Sequence, residues 1–227
     1  MMFCLAAVSV LLITLTLRKT LPHFAPTTEM RYPTLLLSLL HLWQSHPALR
    51  RAVTTQAIIS IGFSAFWSTL AVMLNDSFHL GSSVAGAFGL AGAAGALAAP
   101  FAGFIADRWG SAVVTRGGTA LATLSFALLL AMPLLPLQGK LALLAISAIG
   151  FDLGVQATLV AHLTIVYGLE PAARSRLNAV LFTGMFSGMA FGAAIGSLAL
   201  HHFGWNGVVI AASLSSALAF VYRYGRP

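Results

Sequence analysis

A single acid interrupts an otherwise apolar run. Asp152 stands inside the segment Leu141–Val166, and Gln156 follows one helical turn later on the same face. A bare carboxylate in hydrocarbon costs at least about 2.5 kcal/mol on insertion scales, so it has to be protonated, paired or wet. Two uses fit these residues: a carboxyl group that takes up and releases protons, or a buried hydrogen bond to another helix. A second polar stripe lies earlier in the chain. Gln56, Ser60, Phe63 and Trp67 recur at i, i+4, i+7 and i+11, which places them on one helix face. A polar and aromatic face on an apolar helix is a candidate cavity lining for a solute, or a site of interhelical hydrogen bonding and packing. Little else reads as chemistry. The seven histidines lie mostly near loops without metal-ligand pairing. The adjacent pair His201-His202 would point its side chains apart on a helix. Cys4 is the one cysteine, so neither a disulfide framework nor a metal cluster can be built from cysteines. No nucleophile–base set and no phosphate-binding loop is present. The residues therefore give no metal, no cofactor and no enzyme.

The elements that position these groups are membrane helices. Of 227 residues, 59% are apolar and only 7% are charged, against roughly 25% charged in a soluble domain. Lipid is the solvent that suits such a chain. The net charge of +7 comes from basic residues that stand singly or in pairs, not in a stripe or patch, which excludes a nucleic-acid partner. A membrane span needs about 20 mostly apolar residues. Seven segments qualify: Phe3–Leu17, Val53–Leu74, Ser83–Ile105, Gly118–Leu135, Leu141–Val166, Ala179–Leu200 and Gly207–Tyr222. With alternating topology, every basic residue except Lys140 falls on one side, which the positive-inside rule makes cytoplasmic. The N-terminus is then outside and the C-terminus cytoplasmic. Arg18 and Lys19 follow the first apolar run instead of preceding it, so that run reads as a retained span and not as a signal peptide. The two lysines, Lys19 and Lys140, lie at span edges, which argues against a retinal protein.

Several motifs then carry a resemblance. After the third span the chain reads Gly103-Phe-Ile-Ala-Asp107-Arg108-Trp109-Gly110. Glycines at both ends allow a tight turn and close helix approach. Asp107 can cap or face the N-terminal end of a neighbouring helix, and Arg108 holds the loop at the cytoplasmic side. This run resembles the loop signature of major facilitator transporters, without its final basic pair. Asp152-Leu-Gly154-Val-Gln156, the loop Leu169-Glu-Pro171-Ala-Ala-Arg174-Ser-Arg176-Leu-Asn178, and Gly184, Gly188, Gly192 and Gly196 look like helices ten and eleven of bacterial drug-efflux-type members. His46-Pro-Ala-Leu-Arg50-Arg51 resembles the start of helix seven there, while His162 stands where those relatives would carry glutamine. The third and sixth spans share Gly92-Ala-Ala-Gly95-Ala-Leu-Ala and Gly192-Ala-Ala-Ile-Gly196-Ser-Leu-Ala. They run in opposite directions, as an inverted three-plus-three repeat requires.

The expected fold is thus all-α and polytopic, with seven transmembrane helices equivalent to helices six to twelve of a major facilitator. Residues 1–17 form a leading span. Residues 18–51 form a cytoplasmic connector, in which Tyr32–Pro47 reads as an interfacial amphipathic helix. Residues 52–223 form a six-helix C-terminal half. The glycine stripe from Gly184 to Gly196, and a similar one at Gly86, Gly89, Gly92 and Gly95, would serve either static packing or sliding between transporter halves. The function implied by the resemblance is movement of a small solute across the plasma membrane of a bacterium, by proton-coupled efflux. Other readings are a truncated transporter without activity of its own, and a membrane receptor or assembly protein. The expected partners are the lipid bilayer, a small-molecule substrate, and a separate N-terminal half or another copy. Without such a half, Gln56, Asp152 and Gln156 would face lipid, and a monomer would not transport. The orientation is testable by cysteine-accessibility labelling in a Cys4→Ser background. Cysteines replacing Ser111 and Ser175 should react only from the cytoplasm, and those replacing Ser77 and Asn206 only from outside; outside labelling at Ser111 overturns the assignment.

Overall fold

In the computed structural model of the chain, residues 2–21 and 31–224 are described. Arg226 and residues 22–30 of the connector lie outside them. The chain divides into two compact units, Met1–Leu37 and Ser38–Pro227. The first contains α1 (Met2–Thr20), whose last turn carries Arg18 and Lys19, cations that complement the negative end of the helix dipole. The division falls inside α2 (Tyr32–Ser45). The second half of α2 belongs with the larger unit because Leu42 is buried among Leu49, Val166, Ala173, Leu177 and Leu181. Arg50 also donates from Nη1 to the carbonyls of Trp43 (3.2 Å) and Gln44 (2.5 Å), satisfying carbonyls at the end of α2.

The larger unit continues with α3 (Pro47–Phe78), α4 (Ser82–Ala96), α5 (Ala98–Trp109), α6 (Ser111–Leu128), α7 (Leu137–Leu169) and α8 (Arg174–Tyr224). Pro47 opens α3 at a position where its missing N–H costs nothing. Two further prolines divide what the apolar runs alone present as continuous. A proline ring clashes with the carbonyl four residues back. Pro100 accordingly coincides with the break between α4 and α5 around Leu97, and Pro133 with a tightened 3-10 stretch, Leu129–Leu134, after α6. The third apolar segment, expected as one helix over Ser83–Ile105, is therefore two helices of 15 and 12 residues. The 51-residue α8 is broken at Gly204, where φ 65° and ψ −164° form a conformation open to glycine. Among the described residues, four helical stretches are long and apolar enough to cross a membrane: Pro47–Phe78, Ser111–Leu134, Leu137–Leu169 and Pro171–Tyr224. Many large apolar side chains point outward, Phe101, Leu134, Phe186 and Leu214 among them, which suits lipid as solvent.

Glycines set how closely these helices approach. The stripe on α8 lies against α3: Gly184 meets Val53, Gly188 meets Ala57, Gly192 meets Ile61 and Gly196 meets Ala65. Both series ascend together, so α3 and the first arm of α8 run parallel. A methyl group added at Gly188, Gly192 or Gly196 would lie 2.9, 2.9 and 2.7 Å from the facing Cα atoms, where no real Cβ fits. Gly118 on α6 and Gly154 on α7 approach in the same way. A Cβ on Gly118 would lie 2.6 Å from the Gly154 carbonyl oxygen, and one on Gly154 would lie 2.9 Å from the Ala122 nitrogen. At the centre, Phe126 stacks on Phe151 at 4.4 Å, and Phe66 meets Phe151 at 4.7 Å and Trp205 at 5.5 Å. These rings join α3, α6, α7 and the second arm of α8.

The glycines divide into those under contact and those in the open, since Gly86 and Gly89 have nothing within 4 Å of an added Cβ. Gly188→Ala should destabilise the purified protein by about 1–3 kcal/mol through overpacking. Gly86→Ala should be neutral or stabilising by up to about 1 kcal/mol through helix propensity. Thermal unfolding in detergent checks both, and an unchanged melting temperature for Gly188→Ala would contradict the contact with Ala57.

Candidate functional site

The two polar stripes picked out by spacing meet across one helix pair. Near one end of the α3–α7 contact, His162 donates from Nδ1 to Oε1 of Gln56 at 3.0 Å. Gln56 is 0% exposed and His162 1%. Toward the other end, Trp67 of α3 and Asp152 of α7 come together against α4. A Cβ on Gly92 would lie 3.0 Å from the Trp67 ring and 3.1 Å from Asp152 Oδ2, and one on Gly95 would lie 2.9 Å from Asp152 Cβ. Because Gln56 pairs with the later α7 residue and Trp67 with the earlier one, α3 and α7 run antiparallel. Phe63, between the two contacts, packs edge-on against Phe151 at 6.2 Å.

Burial separates this arrangement from the expected one. Gln56, Ser60 and Asp152 are 0%, 2% and 3% exposed. They therefore do not face lipid from an isolated chain, as expected from their polarity; the chain's own helices enclose them. Gln156 and Trp67 are half-buried. Asp152 is tolerated sterically because α4 presents glycine at both positions opposite it. Its Oδ2 has no hydrogen-bond partner, and the indole of Trp67 is the side chain that interacts with the carboxylate. Gln56 Nε2 and His162 Nε2 likewise lack partners. Among the described residues, no group of three or more His, Cys, Asp and Glu side chains is placed to hold a metal ion.

The remaining residues singled out in the sequence lie elsewhere. Gly103 sits inside α5 with open space beside it, so it makes no turn. Gly110, at φ 89° and ψ 147°, is the residue that makes the turn into α6. Asp107 and Arg108 are exposed in the last turn of α5, with the Arg108 guanidinium 5.7 Å from the Trp109 ring centre. Arg174 donates from Nε to the carbonyl of Tyr167 at 3.1 Å, closing the end of α7, and Arg176 is half-buried. The apolar groove formed by α5, α6 and α7, about 630 Å³ between Phe101, Leu121 and Leu153, carries no charged side chain. The sequence reading missed two features. One is the Gln56–His162 bond, which spans 106 residues and leaves no local trace. The other is the Gly118–Gly154 contact, whose visible signal is the Gly150-x-x-x-Gly154 spacing on α7.

The Gln56–His162 bond predicts a measurable coupling. Gln56→Leu and His162→Leu should each lower stability by about 1–3 kcal/mol, because each leaves a buried polar partner unsatisfied. The double variant should lose less than the sum of the two, by about 0.6–2 kcal/mol. Unfolding of the four proteins in detergent measures this, and strict additivity would show that the two groups do not interact.

Against this geometry the comparisons with known proteins are specific. A "Probable transporter" of Streptomyces coelicolor is 33% identical over 195 residues, which is 85% of this chain and 44% of that protein. The "Uncharacterized transporter YgaY" of Escherichia coli is 35% identical over 212 residues, 92% of this chain and 52% of its own length. The chain thus spans about half the length of the curated relatives it matches. Residues 52–227 match the Major Facilitator Superfamily, and with helices that run the length of a bilayer and pack through glycine stripes, this chain belongs to that superfamily.

Proposed function

We propose that the chain forms the C-terminal half, with one preceding helix, of a proton-coupled major facilitator that exports a small organic solute, and that Asp152 carries the proton. Its seven crossings would be α1, α3, α4 with α5, α6 with its 3-10 extension, α7, and the two arms of α8. The last assignment is supported by length: 51 residues extend about 76 Å, more than twice the hydrocarbon thickness of about 30 Å. In this reading α2 lies at the cytoplasmic surface of the bacterial inner membrane. The facing half comes from the rest of a longer chain, a separate polypeptide or another copy.

One observation carries the proton assignment. Asp152 is 3% exposed and its Oδ2 makes no hydrogen bond. Its side-chain partner is the neutral Trp67 indole; with no ion pair to Asp152 among the described residues, protonation and hydration are left as the ways to house the acid in hydrocarbon, and alternation between these is what a proton carrier does. The position suits coupling to shape change, since the carboxylate sits where α3, α4 and α7 meet.

The test uses the complete transporter that contains this chain, in inverted membrane vesicles with a fluorescent cationic solute supplied in the outer medium, the former cytoplasmic side. Asp152→Asn should reduce flux driven by a pH gradient at least about tenfold, a loss of roughly 1.4 kcal/mol or more in transition-state terms, while membrane expression persists. Asp152→Glu should retain part of it. Undiminished pH-driven flux in Asp152→Asn would leave Asp152 a structural residue and remove the proton assignment.

A further inference from the structure

An acid in apolar surroundings can be housed by a partner, by water or by a proton. The packing around the free oxygen of Asp152 decides among the three. Oδ2 is sealed, with no water-sized space touching it and no hydrogen bond reaching it. What closes over it is the backbone of α4. A Cβ on Gly92 would stand 3.1 Å from Oδ2, and one on Gly95 would stand 2.9 Å from Asp152 Cβ and 3.3 Å from its carbonyl carbon. Trp67 of α3 closes a second side, 3.0 Å from the same Gly92 position.

The groups facing the acid are neutral. The Trp67 indole interacts with the carboxylate and carries no charge. On α7, Gln156 is the next polar side chain of the same face. On α6, Phe126 is turned toward the neighbouring Phe151. α4 has no titratable residue from Ser82 to Ala96. Among the described residues, then, neither a counter-charge nor water meets a charged Oδ2. A neutral carboxyl with one hydrogen bond unmet costs far less than a bare charge there. The enclosed arrangement is that of the protonated acid.

Ionisation has to uncover Oδ2, and the helices around it are not equally free to yield. α3 is in backbone contact with α8 from Gly184 to Gly196, and α7 with α6 at Gly118 and Gly154. α4 is 15 residues long and is parted from α5 at Leu97, so it can move separately from that helix. It seats Phe88 in the central core, but an added Cβ at Gly86 or Gly89 meets nothing within 4 Å, which leaves one flank open.

We propose that α4 is a proton-operated lid on Asp152. It lies closed over the protonated carboxyl. It lifts from α7 as the proton passes to entering water, which then solvates the charged oxygen through the gap at Gly92 and Gly95. Protonation favours the closed arrangement, so closure is fullest at low pH and is lost as pH rises. The lid deepens the proton assignment above and rests on Asp152 exchanging its proton, but not on solute movement.

Hydrogen exchange of the full chain in detergent reads the lid directly. Exchange over Ser82–Ala96 is followed at about pH 5.5 and about pH 8.5 and corrected for the pH dependence of the exchange chemistry, with residues 53–65 of α3 as internal reference. In wild type, corrected exchange over α4 should rise at least about fivefold between the two while the reference stays constant. Asp152→Asn keeps the shape and cannot ionise, so its α4 should exchange at the low-pH wild-type rate throughout. Wild-type α4 exchange that does not respond to pH overturns the lid without need of the variant, and so does a rise that persists undiminished in Asp152→Asn. The flux assay separates the two readings. A responsive lid with undiminished flux in Asp152→Asn upholds the lid and removes proton-coupled export. An unresponsive α4 with flux lost in that variant overturns the lid and leaves the proton assignment standing.

Discussion

The larger unit depends on backbone-distance contact between α3 and the first arm of α8. Between membrane helices the hydrophobic effect gives no net attraction, because lipid tails are as apolar as the side chains they replace. What remains is dispersion, which falls away within an ångström of misfit. Four glycines at intervals of four residues remove every side chain from one face of α8, and α3 fills that face with Val53, Ala57, Ile61 and Ala65. All four contacts keep one constant offset in sequence. The helices are therefore held parallel and in register over about three turns, with little freedom to slide without separating. The glycine stripe here is a close-packed joint within the larger unit.

That joint fixes where the polar residues of α3 point. At about 100° per residue, the face carrying Gln56, Ser60, Phe63 and Trp67 lies roughly a third of a turn from the face that meets α8. It is turned toward α7, where His162, Phe151 and Asp152 receive it. A third face, at Gly62, meets Ala212 and Ser215 on the second arm of α8, with a Cβ there only 2.9 Å from the Ala212 carbonyl oxygen. α3 is thus enclosed on three sides, and 15 of its 32 residues are buried. Its polar groups do not face lipid because there is no lipid around that part of it.

The sequence shows such faces but not their occupants. The spacing of Gly184, Gly188, Gly192 and Gly196 makes a smooth stripe legible from one helix alone, yet identifying α3 as its occupant requires a second helix 131 residues away. The stripe on α4 makes the limit plain. Gly86, Gly89, Gly92 and Gly95 look equivalent by period, but only Gly92 and Gly95 are covered, and what covers them is the carboxylate and indole selected for quite different reasons. Apolar run length located the long helices because hydrocarbon thickness sets that length. It missed the breaks at Leu97 and after Leu128, since a proline interrupts backbone hydrogen bonding without lowering hydropathy. His162 appeared only as a departure from an expected glutamine. Its role as the partner of Gln56 depends on the antiparallel register of α3 and α7, which no local pattern encodes.

The register also constrains how the buried polar groups can act together. Gln56 and Trp67 are eleven residues apart on α3, about 16 Å along the axis. The facing residues, His162 and Asp152, are separated by nearly the same rise on α7. A hydrogen-bonded chain between them would need about five links of roughly 2.8 Å. The stripe between supplies Ser60 and Phe63 on α3 and Gln156 on α7. Among the described side chains these are fewer groups than a continuous relay from Asp152 to His162 needs. Influence between the acid and the Gln56–His162 pair then passes through the helices themselves. α7 is the element able to transmit it, as a shift of the whole helix, because it carries both groups. α3, locked to α8 on one side and enclosed on two others, is the frame against which such a shift would occur.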